Sequence, residues 1–157
     1  MKVRPVLYGL LALHLLLASF ALVSLRLRAA DSEITVYKTP TCGCCTKWVD
    51  HLKENGFQVT VHEVEDTAAY SRQQGVPDHL RSCHIGVVEG YAVEGHVPAA
   101  EIQRLLQERP PAKGLSVPGM PVGSPGMDFP GGPPGRYSVV LFGADGKSSV
   151  YQQYPRN

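Results

Sequence analysis

Alternating β-branched and polar residues in EITVYK, Glu33 to Lys38, predict a first strand that stops at Thr39-Pro40. The stretch CTKWVDHLKENG then sets Trp48, Val49 and Leu52 at helical spacing, with Gly56 after Asn55 as a stop signal. FQVTVHEV alternates again as a second strand. TAAYSRQQG reads as a short helix ending at Gly75, and the acidic pair Glu65-Asp66 before it suits a helix N-terminus. IGVVEG and YAVEG are two β-rich runs joined around Glu89-Gly90, an acidic residue and a glycine placed as in a hairpin turn. In PAAEIQRLLQER, Pro98 suits a first helical turn, and Ile102, Leu105 and Leu106 form an apolar stripe. The order β-α-β-α-β-β-α predicts an α/β, thioredoxin-like domain over residues 31–109, a small mixed sheet with flanking helices.

The pattern changes on both sides of that domain. Residues 1–30 combine a basic start, Lys2 and Arg4, with an apolar run from Val6 to Leu25, and read as a signal peptide or an uncleaved membrane anchor. Ala30 suits the position before a cut, whereas Arg28 does not suit the place two residues earlier. The chain is therefore expected to be exported, with residues 6–25 its only membrane contact if the segment is retained. From residue 110 to 135, eight of 26 residues are proline and seven are glycine, a density expected to leave an extended cover or linker with no regular element. Beyond it, residues 136–157 hold two alternating runs around Ala144-Asp145-Gly146-Lys147. This is a C-terminal β-hairpin, which would need to dock on the body or on a partner.

Charge narrows the partners. All 14 acidic residues lie from Asp31 onward, and without Lys2, Arg4, Arg26 and Arg28 eleven basic residues face them, a balance of −3. A slightly acidic body lacks the basic stripe that attracts phosphate backbones, so nucleic acid is not expected as a partner. Small ligands or ions fit better.

The four cysteines carry the chemistry. Two structural disulfides would be the ordinary expectation in an exported protein, but three of the four crowd into Cys42-Gly43-Cys44-Cys45, where a staple would close a tiny loop. The cluster falls where the first strand meets the first helix, and a helix N-terminus stabilises thiolates. In a thioredoxin-like layout the loop entering the third strand passes close to this point, and here it carries Arg81-Ser82-Cys83-His84. Four converging thiolates repel one another and call for a soft cation, with Cu(I) the best match in an exported compartment. Zinc is the weaker candidate, because adjacent Cys44 and Cys45 do not easily both turn to one tetrahedral ion, whereas sulfurs bridging several copper ions fit the spacing.

The runs YKTPTCGCCTKWVDHLKENGF, RSCH, GYAVEGHVPAAEIQRLL and GLSVPGMPVGSPGM resemble the CopG-like family of periplasmic copper-resistance proteins over most of residues 33 to 128. The resemblance implies a periplasmic location, a thioredoxin-like fold, a cysteine-bound copper cluster, and a role in copper binding or Cu(I)/Cu(II) interconversion during resistance. Carried over residue by residue, the family's cysteine pattern falls on Cys42, Cys44, Cys45 and Cys83. Copper ions are thus the expected partners, with other periplasmic copper-resistance proteins as further candidates.

Secondary metal-ligand candidates are Met120 and Met127, which end two Pro-Gly-Met triplets, and His84. Hydrophobic docking of a coil explains the methionines as well as ligation does. His96 reads as a packed or solvated residue, nothing points His51, His62 or His79 to the site, and Trp48 reads as core. The competing function is a thiol-disulfide oxidoreductase in which Cys42 attacks and Cys45 resolves. Against it stand the extra thiol Cys44 and a cysteine, Cys83, in the region where such enzymes carry proline. A copper chaperone would show the same ligands.

Overall fold

The computed structural model describes residues 32–128 and 135–156. The run 6–25 lies outside them; among the described residues no helix is long and apolar enough to cross a membrane.

Strand β1 (Glu33–Lys38) is followed by helix α1 (Gly43–Glu54), β2 (Gln58–Glu63), α2 (Thr67–Gln73), a 3-10 turn (Asp78–Leu80), β3 (His84–Val88), β4 (Tyr91–Glu94) and α3 (Ala99–Glu108). β5 (Gly114–Ser116), β6 (Tyr137–Phe142) and β7 (Ser148–Tyr154) complete one seven-stranded sheet of order β2-β1-β3-β4-β5-β6-β7. β1 pairs β2 and β4 pairs β5 in parallel, and the remaining pairs are antiparallel. The predicted mixed sheet with flanking helices is present, and the hairpin docks by joining that sheet through β5.

Period-two alternation sends the strands' apolar residues to two cores. On one face, Ile34, Val36, Val93, Leu115 and Val139 meet Trp48, Val49 and Leu52 of α1 and Ile102 and Leu105 of α3. On the other, Ile85, Ala92 and Phe142 meet Val76 and Leu80, with Tyr37 and Tyr70 packed alongside. Asp66 caps α2 by accepting a 2.8 Å hydrogen bond from Ala68 N–H, as the acidic pair implied. His51 Nε2 does the same service for α3, accepting from Ala99 N–H at 3.0 Å.

The expectation that residues 110–135 hold no regular element fails at Gly114–Ser116. This strand is three residues long, too short to show a period, and it exists because β4 and β6 hydrogen-bond to its two sides. Gly114 is needed there: a Cβ would fall 1.9 Å from the Ala92 carbonyl oxygen.

The turn between β3 and β4 sets the geometry of the site. Glu89 and Gly90 both have positive φ, 45° and 84°, the conformation of a tight two-residue hairpin. It pairs Val88 with Tyr91 and Ile85 with Glu94, and Gly95 N–H donates to the His84 carbonyl at 2.9 Å. One step further along this register, Cys83 stands opposite His96.

Candidate metal centre

Cys42 is the N-cap of α1, and Cys44 and Cys45 lie in its first turn, where backbone N–H groups have no intrahelical partner and the helix dipole favours negative charge. Cys83 ends the loop entering β3. The four sulfurs lie within 4.8 Å of one another. Cys42 Sγ is 3.5 Å from Cys44 Sγ, and Cys45 Sγ is 3.5 Å from Cys83 Sγ. Cys42 and Cys45 are joined as a disulfide with Cα atoms 5.3 Å apart, whereas Cys44 and Cys83 are free. All four cysteines singled out by spacing thus meet, and the site accommodates an oxidised form of the Cys42 and Cys45 pair; a four-thiolate site requires that bond reduced.

Cys83 belongs to a second group. His84 Nδ1 and His96 Nε2 each lie 3.3 Å from its sulfur, and the three ligand atoms are mutually within 4.8 Å. Both imidazoles are fully buried, and their rings meet edge to face with centroids 4.8 Å apart. The Pro125 carbonyl accepts a hydrogen bond from His96 Nδ1 at 2.8 Å, which fixes the tautomer and leaves the Nε2 lone pair facing Cys83. Burial holds both histidines below the usual imidazole range, His84 at about 3 with the neighbouring His96 adding to the effect. Both are therefore neutral, the form that ligates a metal. Burial, with Cys44 next, pushes the Cys83 thiol up to about 12, so without a cation this sulfur keeps its proton.

His96, read as a packed or solvated residue, is packed, and the structure also brings its Nε2 to within 3.3 Å of Cys83 Sγ. The sequence held the signal: a two-residue turn at Glu89-Gly90 fixes a register that puts residue 96 across from residue 83. His51 spends its Nε2 on capping α3, His62 stacks on Tyr37 with centroids 5.3 Å apart, and His79 lies exposed in the 3-10 turn. Trp48 is core, its indole N–H donating to the Val97 carbonyl at 2.8 Å.

The Pro/Gly-rich segment crosses this centre. Gly119 N–H donates to the Arg81 carbonyl at 3.0 Å, and Ser82 Oγ donates to the Gly119 carbonyl. Gly126, at φ 84°, sits so close to α1 that a Cβ would lie 2.6 Å from the Cys44 carbonyl oxygen and 3.0 Å from Trp48 N. Met120 follows the first contact and is 53% exposed; half-buried Met127 follows the second.

Beneath Cys83 lies a buried carboxylate that sequence reasoning missed. Glu94 accepts from Ser82 N–H at 2.6 Å and from Ser71 Oγ at 2.8 Å, fixing the residue before Cys83 to β4 and α2. Burial holds its carboxyl above the usual range.

A sheet with α1 on one face, and cysteines at the start of that helix, defines the glutaredoxin class, and the glutaredoxin family model matches residues 34–83. The model described as protein of unknown function, DUF411, matches residues 80–127. Two solved structures, described as copper resistance protein CopG, form 2 and form 1, are 47% and 48% identical to the chain, with TM-scores of 0.75 and 0.74. They cover 80% and 79% of this chain and 99% and 98% of their own length. The chain belongs to the CopG family of copper resistance proteins. No curated protein sequence matches.

Proposed function

We propose that this protein is an exported, periplasmic copper-binding protein of copper resistance. Copper is its cargo, held as Cu(I) by the thiolates of Cys42, Cys44, Cys45 and Cys83, with several ions bridged by shared sulfurs. The observation that carries the reading is the convergence of four sulfurs within 4.8 Å. Four thiolates in that space repel unless soft cations neutralise them, and one Cu(I) offsets only one of the four charges. His84 and His96 offer nitrogen donors on the far side of Cys83, better suited to Cu(II) than sulfur alone, which supports interconversion of the two oxidation states. Met120 and Met127 are the further thioether candidates. The naming of its relatives as copper resistance proteins and the apolar run 6–25 support the role and the location. By its order of segments the chain divides into an export segment (1–30), a metal-binding domain (31–109), a covering segment (110–135) and a hairpin (136–157).

Anaerobic copper loading of the purified protein, beside a Cys83→Ser variant, tests this. Several copper ions per chain, fewer in the variant, are expected. No retained copper, together with active disulfide exchange, would instead establish the second reading. That reading is a thiol-disulfide oxidoreductase, favoured by the Cys42–Cys45 disulfide and by the difference between half-exposed Cys42, placed to attack, and buried Cys45, placed to resolve.

A further inference from the structure

We propose that Pro118 to Met127 form a fixed strap that selects what reaches the sulfurs by size: metal ions and small thiols or disulfides enter, and polypeptide disulfides do not. The inference rests on the reading that these sulfurs exchange ions or electrons, and it names the class of partner they accept.

A polypeptide bringing a disulfide to Cys42 is best held in extended form along neighbouring backbone, hydrogen-bonding to it as peptides do when they add to an exposed edge. Beside Cys83 the backbone available for this is Arg81-Ser82, and the strap already takes it. Gly119 N–H fills the Arg81 carbonyl, and the Gly119 carbonyl receives the Ser82 hydroxyl. On the other side of the sulfurs, Gly126 lies on the first turn of α1, and the Pro125 carbonyl holds His96. Between these anchors the strap is bound to itself. Ser124 N–H and Oγ donate to the Pro121 carbonyl, Met127 N–H donates to the Ser124 carbonyl at 2.8 Å, and Gly123 N–H donates to the Met127 carbonyl. A segment tied at both ends and folded on itself is a wall. Cys42, Cys44 and Cys83 all stay half-exposed, within reach of a small molecule. Ser82 and Gly126 are the specificity-determining positions, since each supports one anchor.

The test compares two disulfides, glutathione disulfide and insulin, with dithiothreitol as electron donor. In each turnover the Cys42 thiolate attacks one substrate sulfur and the other leaves as a thiolate, which takes a proton from water. Cys45 then attacks the Cys42 sulfur and frees the second thiol, so two electrons pass to the substrate, and dithiothreitol restores the dithiol. The wild-type protein is expected to reduce glutathione disulfide but not to accelerate insulin reduction. In Gly126→Ala the new Cβ collides with the Cys44 carbonyl, and in Ser82→Ala the bond to Gly119 is gone. Each should raise insulin reduction by about tenfold, the scale of losing one or two hydrogen bonds, with glutathione disulfide still reduced. Wild-type reduction of insulin at a rate matching the small disulfide would overturn the strap's role. So would variants that keep exchanging glutathione disulfide yet stay inert to insulin. The wild-type comparison decides alone if neither variant folds. Copper retention, measured on the same samples, fails independently if the metal reading is at fault.

Discussion

At Cys83 two imidazole nitrogens and a second sulfur approach one thiol within 3.5 Å, in a pocket that burial has made hostile to charge. The histidines have a cost that can be measured without metal. His84 is held at about 3 in the folded chain and His96 is held low as well, while both return to about 6.5 on unfolding. Between those limits the unfolded chain binds more protons, so stability is full above the unfolded value and is lost as pH falls through it. Each histidine contributes a slope of up to about 1.4 kcal/mol per pH unit. The urea midpoint of the metal-free protein should therefore drop between pH 7 and pH 5, and drop less in His84→Gln; a midpoint unchanged over that range would contradict the buried neutral pair. Nothing in the local sequence around His84 or His96 announces this, because a histidine beside a strand is ordinary until its cross-strand partner is known.

The β3–β4 hairpin shows how much could be read and where reading stopped. Its two runs and its turn were legible from Glu89-Gly90, and that turn also dictates the 83-to-96 pairing. Glu94 was not legible, because a glutamate at a strand end normally faces water, and only the packing of α2 and the Ser82 loop against it closes the site. Removing the carboxylate by Glu94→Ala would leave the Ser82 N–H without its acceptor, a loss of about 1–3 kcal/mol, and leave Ser71 Oγ with the Thr67 carbonyl alone. We expect lower stability and weaker copper retention, with Glu94→Gln recovering part of both, since an amide oxygen still accepts one bond. Copper retention equal to wild type in a folded Glu94→Ala protein would show that Cys83 needs no such anchor. The charge has its own sign: a carboxyl held above its usual range destabilises the fold as pH rises from that range through the raised value. The glutamine variant should lose that slope. β5 escaped notice for the opposite reason to Glu94, since its pairing is backbone-made and leaves almost no trace in three residues.

Across the whole molecule, the C-terminal hairpin is part of the core: Val139 joins the cluster around Trp48, and Phe142 joins the one around Ile85. Buried Glu101 of α3 further binds the hairpin's end through Tyr154 Oη at 2.7 Å and through Arg156. Body and hairpin should unfold in a single transition, seen alike by fluorescence of the one tryptophan, Trp48, and by far-ultraviolet circular dichroism. Two separated transitions would mark the hairpin as an independent unit. Sequence patterns foresaw the hairpin and its need to dock, but the connecting strand that docks it had to be seen. The strand order has a kinetic consequence too. From β3 to β7 every strand pairs with its predecessor, so those closures are shorter. β1 instead skips β2 and α2 to reach β3, joining Lys38 to His84. Chain entropy makes that ring the slowest to close, and the two halves of the sulfur cluster sit on opposite sides of it. Cys83 therefore meets Cys45 only when the sheet closes, so the sulfur cluster assembles late in folding and its loss on denaturation reports the collapse of the entire sheet.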